Sequence, residues 1–252
     1  MEAAKATAAV RGWREAAQGS VLLDGFHALK HALRFGADVS AVLTTDRAAV
    51  AVLAADLAPD VAARIGESAV EIPATVLKEL VPRLHPTGIA ALAARPDRAA
   101  DLAALTREPR RAPVVVLDNP RNLGNIGAVV RLAAGFAAAG VLTTGDADPW
   151  HPTAVRAGAG LHFATVVERV TVDQLPYGAP LYALDPEGDD IRDVPFPDDA
   201  LLAFGSERHG LSEAVRSRAT RLVAIPMRPQ VSSFNLATSV GMGLFHWQTG
   251  RG

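Results

Sequence analysis

From residue 113 onward the chain repeats one pattern, a short apolar run followed by a segment of helical character. VVVLDN (114–119) runs apolar into a turn, GNIGAVVRLAAGFAA (124–138) reads as a helix, and GVLTT (140–144) is the next apolar run. FATVVER, PLYALD, LLAFGS and RLVAIPM supply four more strand candidates, and NLATSVGMGLFHW closes the chain as an apolar helix. Strands that are apolar along their whole length have both faces covered, and helices between them are what covers a parallel sheet. This half is expected to be an α/β domain.

The first half alternates as well. After a helix candidate at 2–17, VLLDG (21–25) precedes the helix-like FHALKHALRF (26–35), and VSAVLTT (39–45) follows as a second strand. AVEIP (69–73) and GIAALAA (88–94) flank a further helix candidate at 75–84. Residues 95–112, RPDRAADLAALTREPRRA, carry charges and two prolines and read as a linker containing a short helix. The predicted division is therefore a small α/β domain at 1–95, a linker at 96–112 and a larger α/β domain at 113–252. Arg107, Arg110 and Arg111 cluster in the linker, either as a solvated connector or as contacts to a phosphate backbone.

Several chemistries are excluded by what is missing. There is no cysteine, which removes disulfides, thiolate zinc sites and cysteine nucleophiles and fits a reducing compartment. No apolar run approaches the roughly 20 residues of a membrane helix. The N-terminus lacks the apolar stretch of a signal peptide, so a cytoplasmic protein without membrane attachment is expected. His27 and His31 stand four apart on a helix candidate but have neither the glutamate of H-E-x-x-H nor a third ligand, so no metal site is expected. No P-loop or G-x-G-x-x-G follows a strand, leaving ATP and nicotinamide chemistry unsupported. The net charge of −2 argues against a bulk electrostatic grip on nucleic acid, although a local basic surface can still neutralise several phosphates.

Three short segments occur in fixed order in the second half: LGNIGAVVR at 123–131, FGSERHGLS at 204–212 and IPMRPQVSSFNLATSVG at 225–241. Together they resemble the three signature motifs of the SpoU, or TrmH-like, RNA ribose 2′-O-methyltransferases of the SPOUT superfamily. The resemblance implies a parallel-sheet SPOUT methyltransferase domain with a C-terminal trefoil knot, S-adenosylmethionine as methyl donor, and a homodimer. LLDGFHALKHAL and LHPTGIAAL loosely resemble pieces of the substrate domain that precedes many SpoU catalytic domains. That implies RNA binding by residues 1–95, with ribosomal RNA preferred over transfer RNA as substrate.

In the first motif, Asn125 and Arg131 stand on the family's N-x-G-x-x-x-R pattern, which implies a catalytic role for both. Asparagine is also a good N-cap, so Asn125 is expected in the turn or at the helix start, and Arg131 on the second helical turn. Asn122 is a competing match for the same asparagine. Arginine is effectively always protonated and makes an awkward base. Its guanidinium is better suited to stabilising a developing alkoxide or binding the adjacent phosphate.

In the second motif Gly205 and Gly210 permit close backbone approach to a cofactor or a tight turn, and Glu207 is expected to hold a neighbouring loop or the RNA side of the site. Ser206 with His209 lacks the G-x-S-x-G elbow of a serine hydrolase. In the third, Ile225, Pro226, Met227, Ser233 and Asn235 match, while Phe234 replaces the usual leucine. By resemblance Ser233 and Asn235 join the catalytic set. Leu184, Gly205, Glu207 and Gly210, with Ile225, Met227 and Phe234, form the cofactor-binding set. Ser233 or Asn235 is also expected to cap the last helix. A noncatalytic RNA-binding homologue and an unrelated small-molecule α/β enzyme are the competing readings.

Overall fold

The computed structural model describes residues 2–250, which form two compact units. The first takes the chain up to Pro96 together with Ala159–Ala164. Its elements are α1 (Glu2–Ala16), β1 (Val21–Asp24), α2 (Phe26–Arg34), β2 (Val39–Thr44), α3 (Arg47–Leu57), α4 (Ala62–Ser68), β3 (Ala69–Glu71), α5 (Ala74–Leu80) and β4 (Ile89–Ala93). The sheet order is β1-β4-β2-β3, with β4 antiparallel to both neighbours and β2 parallel to β3. Trp13 from α1 is 1% exposed and packs with Leu43, Ile72, Leu77 and Leu92 to form the core on one face of this sheet. The alternation of strands and helices over 21–45 and 69–94 matches the sequence reading closely. Helices α3 and α4 lie in a stretch to which the sequence assigned no element. The reason is visible in α3, which buries only Val50 and Ala54, so its alanine-rich surface shows no apolar stripe of helical period.

The second unit comprises α6 (Arg98–Leu105), β5 (Val114–Leu117), α7 (Leu123–Gly135), β6 (Gly140–Thr143), α8 (Pro152–Ala157), β7 (Val166–Arg169), β8 (Leu181–Asp190), β9 (Leu201–Phe204), α9 (Glu213–Arg216), β10 (Arg221–Ala224) and α10 (Leu236–Thr249). Its six strands lie in the order β10-β8-β9-β5-β6-β7 and every neighbouring pair is parallel. All four residues of β5, β6 and β9 are buried, as the continuous apolar runs require. Val114, Val116, Leu142, Ala183, Leu201 and Ala203 belong to one core cluster.

Residues 96–112 differ from a solvated linker. Asp97 caps α6 by accepting from Ala100 N at 2.7 Å, and Leu105 is buried in the sheet's core cluster. Arg98 reaches the fully buried Glu168 at 2.9 Å. Arg110 donates to the carbonyl oxygens of Leu105 and Asp199, and burial pulls its guanidinium below the ordinary arginine value. From Asp97 the segment is thus part of the second unit, held by a buried leucine and by two arginines that hydrophobicity alone would leave in water. Strand β8 also outruns the PLYALD segment. Beyond Ala183 its register on β10 shifts, with Leu222 opposite Ala183 and Val223 opposite Asp189, so a bulge containing Pro186 and Gly188 hides the second half of the strand from any period-two reading.

Candidate functional site

Because the six strands are parallel, their carboxyl ends share one edge. Leaving β5 the chain crosses through α7 to β6 and then β7, whereas β9 and β8 lie on the other side of β5. The order therefore reverses between β5 and β9, and the crevice outside the carboxyl ends at such a reversal is where open α/β sheets bind ligands. Leu117 pairs with Phe204 and Leu184 pairs with Phe204, so Leu184 and Gly205 stand at this edge, with α7 starting just beyond it.

The three sequence motifs meet here. Asn125 Nδ2 donates to Glu207 Oε1 at 2.8 Å, and Asn235 Nδ2 donates to Asn125 Oδ1 at 3.2 Å. The second carboxylate oxygen of Glu207 accepts from Arg121 N at 3.3 Å. Burial pushes the Glu207 carboxyl up, but the Asn125 amide and the backbone N–H groups of Glu207, Arg121 and Asn122 together hold it below its ordinary value. One asparagine is thereby locked through both of its polar atoms. Its amide orientation is dictated by partners of opposite kind, a carboxylate that can only accept and an amide that donates.

The N-cap of α7 is Asn122, not Asn125. Asn122 Oδ1 accepts from Gly124 N at 2.8 Å and Asn125 N at 3.1 Å, satisfying two of the orphan donors of the helix end. The two asparagines divide the labour: Asn122 caps, and the Asn125 side chain is released for Glu207 and Asn235. Arg131 is the ninth residue of α7, which puts it on the third turn and not the second. It is exposed and makes no side-chain hydrogen bond or ion pair among the described residues, so it is not a member of a surface salt bridge.

Asn235 caps α10, accepting from Ala237 N at 2.9 Å and Thr238 N at 3.3 Å while its amide reaches Asn125. Ser233 takes no part in that cap and is exposed. Phe234 is 39% exposed, so its bulk is not consumed by the core. Ile225 and Met227 follow β10 and are half-buried. The loop 225–235 contains one internal backbone hydrogen bond among the described residues, from Val231 N to Arg228 O.

The second motif folds as a tight turn. Ser206 and Gly210 exchange backbone hydrogen bonds at 2.9 and 3.1 Å, with Gly210 at φ +64°. A Cβ on Gly205 would lie 2.1 Å from the Gly210 carbonyl carbon and 2.3 Å from Leu211 N, so only glycine lets the turn fold back on its own strand. The Ser206 hydroxyl accepts from His209 N at 3.2 Å, an intraturn bond that leaves no serine–histidine dyad.

Asp118 has no place in the sequence reading. It is 3% exposed at the end of β5, where its carboxylate accepts from Thr144 Oγ1 at 2.7 Å and Ser212 N at 2.6 Å. It ties the ends of β5 and β6 to the residue that closes the second motif. The one available signal was an acidic residue ending a fully apolar strand. Arg216 adds a second tie, pairing with Asp185 at 2.6 Å and with Glu187, which fastens the bulge after Leu184 to α9. A Cβ on Gly188 would meet Leu222 C at 2.3 Å, so this bulge lies directly on β10.

Residues 112–245, more than half of the chain, match the SpoU rRNA methylase family. The chain belongs to that family. Among its SpoU relatives, an uncharacterised tRNA/rRNA methyltransferase of Synechocystis is 28% identical over 90% of this chain and 83% of its own length. The 23S rRNA (adenosine(1067)-2′-O)-methyltransferase of Streptomyces azureus is 33% identical over 60% of this chain. The chain spans 57% of that enzyme's length. In three dimensions the SpoU methyltransferase AviRb of Streptomyces viridochromogenes, solved with AdoMet, matches with a TM-score of 0.76 at 24% identity, over 96% of this chain and 97% of that one. The α/β architecture is thus that of SpoU methyltransferases.

Proposed function

We propose that this chain transfers a methyl group from S-adenosylmethionine to a ribose 2′-hydroxyl of structured RNA, ribosomal RNA in preference to transfer RNA. The observation that carries the reading is the hydrogen-bonded chain Glu207–Asn125–Asn235, which joins all three motifs at the carboxyl edge where the strand order reverses. Membership of the SpoU family supports the reaction class, and the names of 23S ribosomal RNA enzymes among the relatives support the substrate.

The residues present fit the methyl donor. Between Ile225 and Asn235 most backbone N–H and C=O groups have no partner within the loop, and Ile225 and Met227 are half-buried beside them. Such groups recognise a purine edge without charged side chains. Leu184 and Gly205 border the same edge, and Phe234 offers an apolar surface. When bound, S-adenosylmethionine supplies an electrophilic sulfonium methyl. The chain's part is to aim the hydroxyl and ease loss of its proton. Arg131, cationic and unpaired, stabilises the developing alkoxide or holds the neighbouring phosphate. Asn125 and Asn235 keep the first and third motifs in register, and Ser233 stands free beside them to contact the hydroxyl.

The trefoil knot of the C-terminal segment, RNA binding by the N-terminal unit, a homodimer and a cytoplasmic location belong to the same reading. Phe245 on α10 is 59% exposed and offers the homodimer an apolar contact outside the chain's own core. Calorimetric titration with S-adenosylmethionine of the native protein and Phe234→Leu, followed by tritium transfer to ribosomal and transfer RNA, tests the proposal. Saturable binding with label entering ribosomal RNA is expected. RNA binding without transfer would return the noncatalytic homologue instead.

A further inference from the structure

Most arginines of the second unit fall into two sets. Arg98, Arg192, Arg216 and Arg221 are ion-paired, and Arg110, Arg169 and Arg218 donate to backbone carbonyls. By contrast Arg121, Arg131, Arg208 and Arg228, in or beside the three motifs, and Arg107 and Arg111 in the segment before β5, are exposed and make no side-chain hydrogen bond or ion pair among the described residues.

Two of these stand next to the same residue, Glu207. Arg121 donates its backbone N–H to Glu207 Oε2 at 3.3 Å, and Arg208 follows Glu207 at the tip of the turn closed by Ser206 and Gly210. Glu207 makes no ion pair with either guanidinium, its oxygens accepting instead from Asn125 Nδ2 and Arg121 N. Two exposed cations therefore stand beside one carboxylate, a local excess of positive charge on a protein whose net charge is −2. Arg121 precedes the first motif and Arg208 lies within the second, yet neither side chain takes part in the turn, the cap or the hydrogen-bonded chain. An exposed guanidinium with no partner is suited to bidentate contact with a phosphate.

We propose that Arg121 and Arg208 form a phosphate clamp, gripping the RNA backbone next to the nucleotide presented to Asn125 and Asn235. The clamp rests on the methyltransferase reading above and extends it to how the strand is held. A contact of this kind fixes register without reading sequence, and it gives a nearly neutral protein its electrostatic hold at the one place where RNA must dock.

The test compares the native protein, Arg121→Ala/Arg208→Ala, the corresponding double lysine variant, and Arg107→Ala/Arg111→Ala, which removes two exposed arginines elsewhere in the same unit. Affinity for a mixed-sequence RNA hairpin with a single-stranded loop is measured from 50 to 200 mM salt, alongside S-adenosylmethionine titration. Each lost single-strand phosphate contact flattens log K against log[salt] by about 0.7, so the alanine clamp variant is expected to lose about 1.4 from the slope. Its KM for ribosomal RNA should rise about tenfold with kcat and S-adenosylmethionine affinity unchanged, and the lysine variant should restore most of the slope. Native binding and methylation of RNA with an unchanged slope in the clamp variant would overturn the clamp and leave the methyltransferase reading intact. An equal loss in Arg107→Ala/Arg111→Ala would also overturn it, by showing an effect of bulk charge. Absence of RNA binding by the native protein at 50 mM salt would overturn both.

Discussion

Asn125 and Glu207, 82 residues apart in the chain, meet at 2.8 Å through an amide donor and a carboxylate acceptor. Since Asn125 also accepts from Asn235, 110 residues further along the chain, the start of α7, the turn after β9 and the cap of α10 are positioned by one side chain. Loss of this side chain is expected to disturb geometry at the site more than the stability of the fold, because all three groups lie at the exposed edge.

Asn122 and Asn125 should separate by readout. Asn122→Ala removes a cap that satisfies two backbone donors, and should lower stability by about 1 kcal/mol while leaving most activity. Asn125→Ala should change stability by less than about 0.5 kcal/mol and slow methyl transfer on the order of a hundredfold, the effect of misplacing groups by about 1 Å. Denaturant melts and single-turnover rates on both variants check this.

Glu207→Gln keeps the shape but offers one acceptor oxygen to two N–H donors, so transfer should again slow on the order of a hundredfold. The native carboxyl titrates below its ordinary value, with burial opposed and outweighed by the Asn125 amide and backbone N–H groups. A carboxyl depressed on folding stabilises the protein above the unfolded value, about 4.3, and that contribution is lost as pH falls through the lower folded value. The stability difference between native protein and Glu207→Gln should be constant from pH 6 to 8 and shrink below about pH 4.3. Urea melts along that pH series measure it.

Gly205→Ala should destabilise by about 1–3 kcal/mol, the usual cost of overpacking, since its Cβ would lie 2.1 Å from backbone carbon of Gly210. The displaced turn carries Glu207, so S-adenosylmethionine affinity should fall with stability. Calorimetry at a temperature where the variant remains folded separates the two effects.

Asp118→Ala strands Thr144 Oγ1 and Ser212 N at a nearly dry site. With about 1–3 kcal/mol for each unsatisfied buried group, a loss of about 3 kcal/mol is expected. Asp118→Asn, which preserves one acceptor oxygen, should lose less. Thermal denaturation of both variants checks the order.

The parallel sheet was readable because β5 and β9 are apolar at every position and β6 at all but Thr143, a pattern that needs cover on both faces. Its edge was not. Strand β8 continues to Asp190 through a proline, a glycine and four acidic residues, a composition that denotes a loop in sequence and becomes a strand only because a bulge shifts its register on β10. At the site, the resemblance to the SpoU motifs pointed to Asn125, Glu207 and Asn235, but not to their mutual hydrogen bonds, which depend on three loops converging from separate strands. Two exchangeable asparagines near one helix start could not be told apart by propensity, since both suit an N-cap. Asp118 was missed because a carboxylate after an apolar strand commonly faces water, whereas here two donors draw it inside.

The most direct test of the account is nucleoside mass spectrometry on ribosomal RNA incubated with S-adenosylmethionine carrying a deuterated methyl group, using the native protein and Arg131→Ala. The account predicts a labelled 2′-O-methylnucleoside with the native protein. With Arg131→Ala it predicts a yield lower by about two to three orders of magnitude, as for loss of one transition-state contact, with S-adenosylmethionine binding retained. Label on a base, no label from a native protein that binds both partners, or equal rates for the two proteins would contradict it.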